Sequence, residues 1–250
     1  MLNLIRTENY KNWIYLKIKM SENIYYNFVF PLAEDTEQET LENFISLIKS
    51  SNYDLFSPED NLIIGVVGSE AFETDNQQQV IKDIAKQGGL IKLWGKSLDI
   101  SLWFNRIDYR YGEASIIVDD SYFDEDSANR EFISEYFNNL FIEAAKNLKA
   151  DFAYVIDQYK NDIFDFESNS QLVSTNSSPV ISWLNYFSND YFEQLGGKRV
   201  LKDFNFDITE IHPTGLLVTF FTHPWEVEIL ELELLNEKWR EIQIFKDILK

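Results

Sequence analysis

Between Ser127 and Lys149 the apolar residues fall in pairs four apart: Phe132/Ile133, Tyr136/Phe137, Leu140/Phe141 and Ala144/Ala145, with Leu148 beyond them. That spacing draws one continuous stripe along an α-helix, and such a stripe has to be covered by a sheet or a second helix. Phe152-Ala153-Tyr154-Val155-Ile156 follows at once and reads as a strand. The pairing of a long amphipathic helix with a short apolar strand is the strongest constraint on the fold.

The same two periods recur upstream. Trp13–Lys19 and Ile24–Phe30 are short, aromatic and β-branched, and Pro31 closes the second. Thr36-Glu37-Gln38-Glu39 has the form of a capping box, opening a helix with Leu41, Phe44, Ile45 and Ile48 on one face. Leu62–Val67 reads as a buried strand. A second box at Thr74–Gln77 opens a helix carrying Val80, Ile81, Ile84 and Ala85, which stops at Gly88-Gly89. Leu98, Ile100, Leu102 and Phe104 alternate with Asp99, Ser101 and Trp103 as in a half-buried strand, and Glu113–Val118 is the expected hairpin partner across a turn near Asn105–Gly112. The fold class expected is α+β: a mixed, mainly antiparallel sheet packed against helices. A loose echo, helix then strands over residues 36–118 and again over 127–221, leaves two similar α/β halves as an option. The 250 residues are expected to form one domain, with the polar stretch 161–179 as the candidate sub-domain boundary.

Charge and composition narrow the function classes. The formal net charge is −20, a field that repels nucleic acid and anionic membrane and speeds encounter with a basic partner. No apolar run approaches the roughly 20 residues of a membrane span, and no secretory signal is visible at the N-terminus. Cysteine is absent, which removes disulfides, thiolate nucleophiles and Cys-ligated zinc. A cytoplasmic location is the expectation. The two histidines, His212 and His223, are eleven residues apart, each before a proline, so neither a shared metal nor a proton relay is expected from them. P-loop, dinucleotide-binding and zinc-helix motifs do not occur. No cofactor, no metal and no catalytic residue is expected, and the chain is read as a non-enzyme.

Two acidic clusters are the candidate partner-binding residues. The first is Asp119, Asp120, Asp124, Glu125 and Asp126 around Tyr122 and Phe123, with the two aromatics as interface anchors. Its acids also stand before a helix expected near Ser127, where they would meet the positive end of the helix dipole. The second begins at Glu226 and Glu228 and continues through Glu231, Glu233 and Glu237. Its alternation with Val227, Ile229, Leu230, Leu232 and Leu234 reads as a strand with one slip in phase. An acid-based, metal-assisted hydrolase built on Asp119–Asp126 stands as the alternative, and a binding module for some other basic protein as the second.

Residues 181–225 carry Trp183-Leu184-Asn185-Tyr186-Phe187, then Leu195-Gly196-Gly197, then Gly215-Leu216-Leu217-Val218 before Pro224. This stretch resembles the C-terminal signature of bacterial immunity proteins of polymorphic toxin systems, in particular the immunity protein 52 family and its type VI secretion relatives. The resemblance implies an antidote that binds one cognate toxin, a basic nuclease-type effector, and covers its active site or substrate channel. Read physically, Trp183, Tyr186 and Phe187 are core residues. Gly196-Gly197 ends a short helix over Asn189–Leu195, and Gly215 supplies a turn with positive φ before the strand Leu216–Phe221.

Overall fold

The computed structural model describes residues 23–124, 129–158, 166–199, 207–211, 213–221 and 223–248. Strand β1 (Asn23–Pro31) is the seam of the molecule, because it pairs on one side with β7 (Tyr111–Asp119) and on the other with β8 (Phe152–Asp157). On the β7 side follow β6 (Ile100–Arg106), β5 (Gly89–Gly95), β3 (Ile63–Val67) and β4 (Glu70–Thr74), with the two-residue β2 (Tyr53–Asp54) added to the end of β5. On the β8 side lie β9 (Leu184–Ser188), β11 (Gly215–Thr219) and β10 (Asp207–Ile211). The sheet runs β10-β11-β9-β8-β1-β7-β6-β5-β3-β4 without a break, and every pairing in it is antiparallel. An α+β fold with an antiparallel sheet packed against helices is therefore what the chain adopts.

The registers assign side chains to faces. Tyr26, Phe28 and Phe30 of β1 stand opposite Ile116, Ala114 and Gly112 of β7, and these continue into Leu102 and Phe104 of β6. Side chains two apart share a face. That face is covered by α1 (Glu37–Ser50), α2 (Gln77–Gln87) and α3 (Arg130–Asn147). Phe28 meets Phe44 of α1 and Phe141 of α3 at centroid distances of 5.9 and 5.4 Å, and Tyr26 meets Phe137 at 5.6 Å. Beyond β8 the covering switches sides. Phe152 and Phe187, cross-strand neighbours on the opposite face, pack under α5 (Asn189–Gln194) and α6 (Ile229–Ile248) through Tyr191, Phe192 and Trp239.

Several expectations change. The strand expected at Trp13–Lys19 lies outside the described residues. Thr36 precedes α1 but forms no capping box: its hydroxyl donates to the Ala33 carbonyl at 2.8 Å. In the second box the cap is Asn76, whose Oδ1 accepts from Gln79 N at 3.1 Å. Part of the polar stretch 161–179 is ordered as α4 (Asn169–Ser174), with Asn169 and Ser170 buried. The Glu-rich segment after Trp225 is not a bulged strand but the start of α6, which follows a 3₁₀ turn at Pro224–Glu226. Its buried residues are Leu232, Asn236 and Trp239, while Leu230 and Leu234 face outward. Steps of three and four win over steps of two because straight-chain Leu and Glu favour a helix, and one face of that helix is needed over Phe187.

Gly196 and Gly197 do end α5 with φ of 115° and 62°. Gly215 differs from expectation, since its φ is not positive. It opens β11 where a Cβ would lie 2.2 Å from the Phe187 carbonyl oxygen, so close approach of two strands selects the glycine.

Candidate interaction surface

Strand β7 ends at Asp119, whose carboxylate accepts from Ser121 N at 3.1 Å and Ser121 Oγ at 2.6 Å. This cap winds Asp120–Phe123 into one 3₁₀ turn. Asp119 therefore serves the end of a strand, and the long helix expected near Ser127 begins at Arg130. The turn directs Phe123 inward, 6% exposed, with its ring 6.4 Å from Phe137. Phe123 is thus a core residue and not an interface anchor. Tyr122 is half-buried, and Asp124 is exposed. Glu125 and Asp126 lie outside the described residues.

Beside this turn the first two turns of α3 meet the loop after α1. Tyr136 Oη donates to the Ser51 carbonyl at 2.9 Å, and Asn52 there takes φ of 71° to bring the chain round to the buried Tyr53. A groove of about 270 Å³ opens between them, lined by Tyr53, Tyr136, Ile133 and Leu98 together with Gly95–Ser97. Phe132 stands at its mouth and is 70% exposed, although it belongs to the repeating stripe of α3. Burial pushes the phenols of Tyr53, Tyr122 and Tyr136 up, and nearby Asp99 adds to the shift of Tyr53 and Tyr122. Tyr53 and Tyr136 stay neutral, and the Tyr136 hydroxyl already donates to the Ser51 carbonyl, so the groove offers chiefly apolar ring faces. Glu131 and Glu135 are exposed on the same helix, and Lys96 is exposed within the groove's own lining. Lys92 is engaged by Asp99 at 3.0 Å and lies 3.7 Å over the Trp94 ring. A concave aromatic surface on a chain of net charge −20 suits a partner that brings an apolar anchor on a basic surface.

The other candidate residues are dispersed. Trp183 and Tyr186 are each 1% exposed and belong to the core. Glu226 accepts from the His223 backbone N–H at 3.1 Å, and Glu228 is exposed just before α6. His223 Nδ1 lies 3.1 Å from Ser134 Oγ, and its ring stacks on Trp225 at 4.4 Å, with Arg130 above that indole at 4.7 Å. Ser134 is fully buried, so this His–Ser contact docks the C-terminal segment onto α3 and gives no nucleophile a route to substrate. His212 lies outside the described residues. No three His, Asp or Glu side chains among the described residues are grouped to hold a metal ion. No helix among them is long and apolar enough to cross a membrane.

Two carboxylates missed by sequence reasoning are drawn into the fold, Glu113 against α4 and Asp151 between Tyr111 and Ser188. Glu113 of β7 accepts from Ser170 Oγ, and from Asn105 Nδ2 at 3.3 Å. Asp151 accepts from Tyr111 Oη at 2.9 Å and Ser188 Oγ at 3.0 Å. Burial raises both carboxyls above their ordinary values while these donors pull them back. The outward position of Glu113 in the alternation of β7 carried no sign that α4 would cover it. No family model matches the chain, and no curated protein matches it.

Proposed function

We propose that this chain is a non-enzymatic binding protein that captures and neutralises a basic partner protein, in the manner of the immunity proteins its 181–225 segment resembles. The partner would be a toxin of nuclease type, met in the cytoplasm. The observation that carries the reading is Phe132: a large aromatic left 70% exposed at the mouth of a tyrosine-walled groove, on a chain of net charge −20. An exposed aromatic beside a concave apolar surface is the usual anchor of a protein interface, and the chain's net negative charge favours rapid encounter with a cationic surface. The resemblance rests on Trp183, Tyr186 and the glycines, which are scaffold, so the partner has to be recognised elsewhere.

The test is titration of the purified chain with the product of the adjacent upstream gene at low and high salt. A tight complex that weakens with salt, and that loses tenfold or more in affinity with Phe132→Ala, is expected. A partner that binds unaffected by both Phe132→Ala and salt overturns this surface, and absence of any complex overturns the antidote reading.

A further inference from the structure

We infer that the β4 edge of the sheet is a second recognition element, built to take an extended basic segment of a partner as an added antiparallel strand. The inference stands apart from the Phe132 groove and would hold for any basic partner.

Among the described residues, strand β4 pairs with β3 alone. The two are joined by the two-residue turn Gly68-Ser69, with Gly68 at φ of 58°. In such a hairpin the closing pair, Val67 and Glu70, exchanges both hydrogen bonds, and bonded pairs then alternate: Gly65 with Phe72, and Ile63 with Thr74. The backbone N–H and C=O of Ala71 and Glu73 consequently point away from β3, along an open edge. An open edge of this kind is a template for another strand. Natural edges are often closed by proline, a bulge or lysine, and β4, Glu-Ala-Phe-Glu-Thr, has none of these.

Beside the edge runs a groove of about 560 Å³ between β4 and α2, lined by Glu70, Ala71, Phe72, Gln79, Asp83 and Gln87. It gives alternate side chains of an added strand a place to sit. The charged residues that line it, Glu70 and Asp83, are both acidic, and Glu73 stands on the same strand. A second copy of the chain is a poor occupant. Edge-to-edge pairing would set Glu70 and Glu73 of two molecules close together, each molecule carrying −20. A strand with lysine or arginine at alternate positions meets this edge with opposite charge.

The probe is an eight-residue peptide alternating lysine and valine, with its glutamate–valine counterpart as control. The readout is amide hydrogen exchange at Ala71 and Glu73, followed by NMR on the full chain. The lysine peptide is expected to slow exchange at both amides at least tenfold, and the glutamate peptide to leave them unchanged. Glu70→Lys with Glu73→Lys should reverse that preference without disturbing the fold, and Phe132→Ala should leave it intact. Binding that does not protect those two amides, or protection at neither amide at saturating peptide, overturns the inference. So does protection without peptide that grows with protein concentration, which would make the edge a self-association surface.

Discussion

The side chain of Asn236 closes on the backbone of Ile181 at two points: Oδ1 accepts from Ile181 N at 2.9 Å, and Nδ2 donates to the Ile181 carbonyl at 2.8 Å. Asn169 does the same to Val180, at 2.6 and 2.9 Å. Trp239 Nε1 donates to the Pro179 carbonyl, and Asn185 accepts from Ser182 N. Residues 179–182 thus run buried beside the sheet without a strand partner. Side chains from α4, β9 and α6 supply the hydrogen bonds that a neighbouring strand would otherwise give.

Replacing Asn236 by leucine should therefore be costly even though the shape is nearly kept. It leaves the N–H and C=O of Ile181 buried and unpaired, at about 1–3 kcal/mol for each group. A total loss of about 3 kcal/mol is expected in urea unfolding, with an unchanged slope. A loss below about 1 kcal/mol would mean that the clamp contributes little.

Glu113 and Asp151 set the sign of the pH dependence. Their carboxyls lie above the ordinary range in the folded chain, raised by burial. The folded state holds their protons more tightly than the unfolded state, so ionisation weakens folding. The penalty is complete above the folded value, is relieved as pH falls through it, and vanishes below the unfolded value. Stability should rise on mild acidification from pH 7, and the −20 net charge acts in the same direction. Glu113→Gln isolates the local part: it should be at least as stable as the parent at pH 7, with a flatter profile between pH 7 and 5. A parallel profile would assign the whole effect to net charge.

Most of the layer of helices and strands was legible because its buried faces keep strict periods: Ile100, Leu102 and Phe104 in steps of two, Phe137, Leu140, Phe141 and Ala144 in steps of three and four. Strands β4 and β5 were hidden, since Glu70–Thr74 is an edge with no buried row and Gly89–Gly95 follows a glycine pair that reads as a helix stop. The candidate surface was legible only in part. Acid and aromatic spacing located the turn at Asp119–Asp124, but not that Phe123 turns inward, a choice made by Phe137 across the chain. Ser51, Tyr53, Leu98 and Tyr136 come from three separate segments, and no local pattern joins them.

The ring of Tyr26 packs on Phe137 and Phe141, and its buried hydroxyl meets no hydrogen-bond partner among the described residues. Tyr26→Phe removes an unsatisfied polar atom while keeping the ring, so it should be neutral or stabilising by about 1 kcal/mol. Thermal unfolding at fixed pH measures it, and a clear loss of stability would reveal a partner for that oxygen.

Gly215 tests strand approach in place of conformation. Gly215→Ala sets a methyl group 2.2 Å from the Phe187 carbonyl oxygen and 2.7 Å from Tyr186 Oη, both across the β9–β11 pairing. Backbone does not yield cheaply, so a loss of about 2 kcal/mol or more is expected. Exchange should quicken first at amides of β11. A silent substitution would show that these strands can separate freely.

Phe132 and Phe137 lie five residues apart on α3 and should behave oppositely. Phe137 is 1% exposed and touches Tyr26, Phe123 and Tyr136, so Phe137→Ala should cost about 3–5 kcal/mol. Phe132 is 70% exposed, and Phe132→Ala should change stability by less than about 0.5 kcal/mol. Its effect should appear in association, as a loss of about 1.4 kcal/mol of binding or more, carried in the dissociation rate. Asp124→Lys, on an exposed side chain next to the turn, should instead slow association and flatten its salt dependence, because rim charges act mainly on encounter. Stopped-flow kinetics on the two variants separates these effects. If Phe132→Ala lowers stability as much as Phe137→Ala does, its ring serves the fold and the groove loses its anchor.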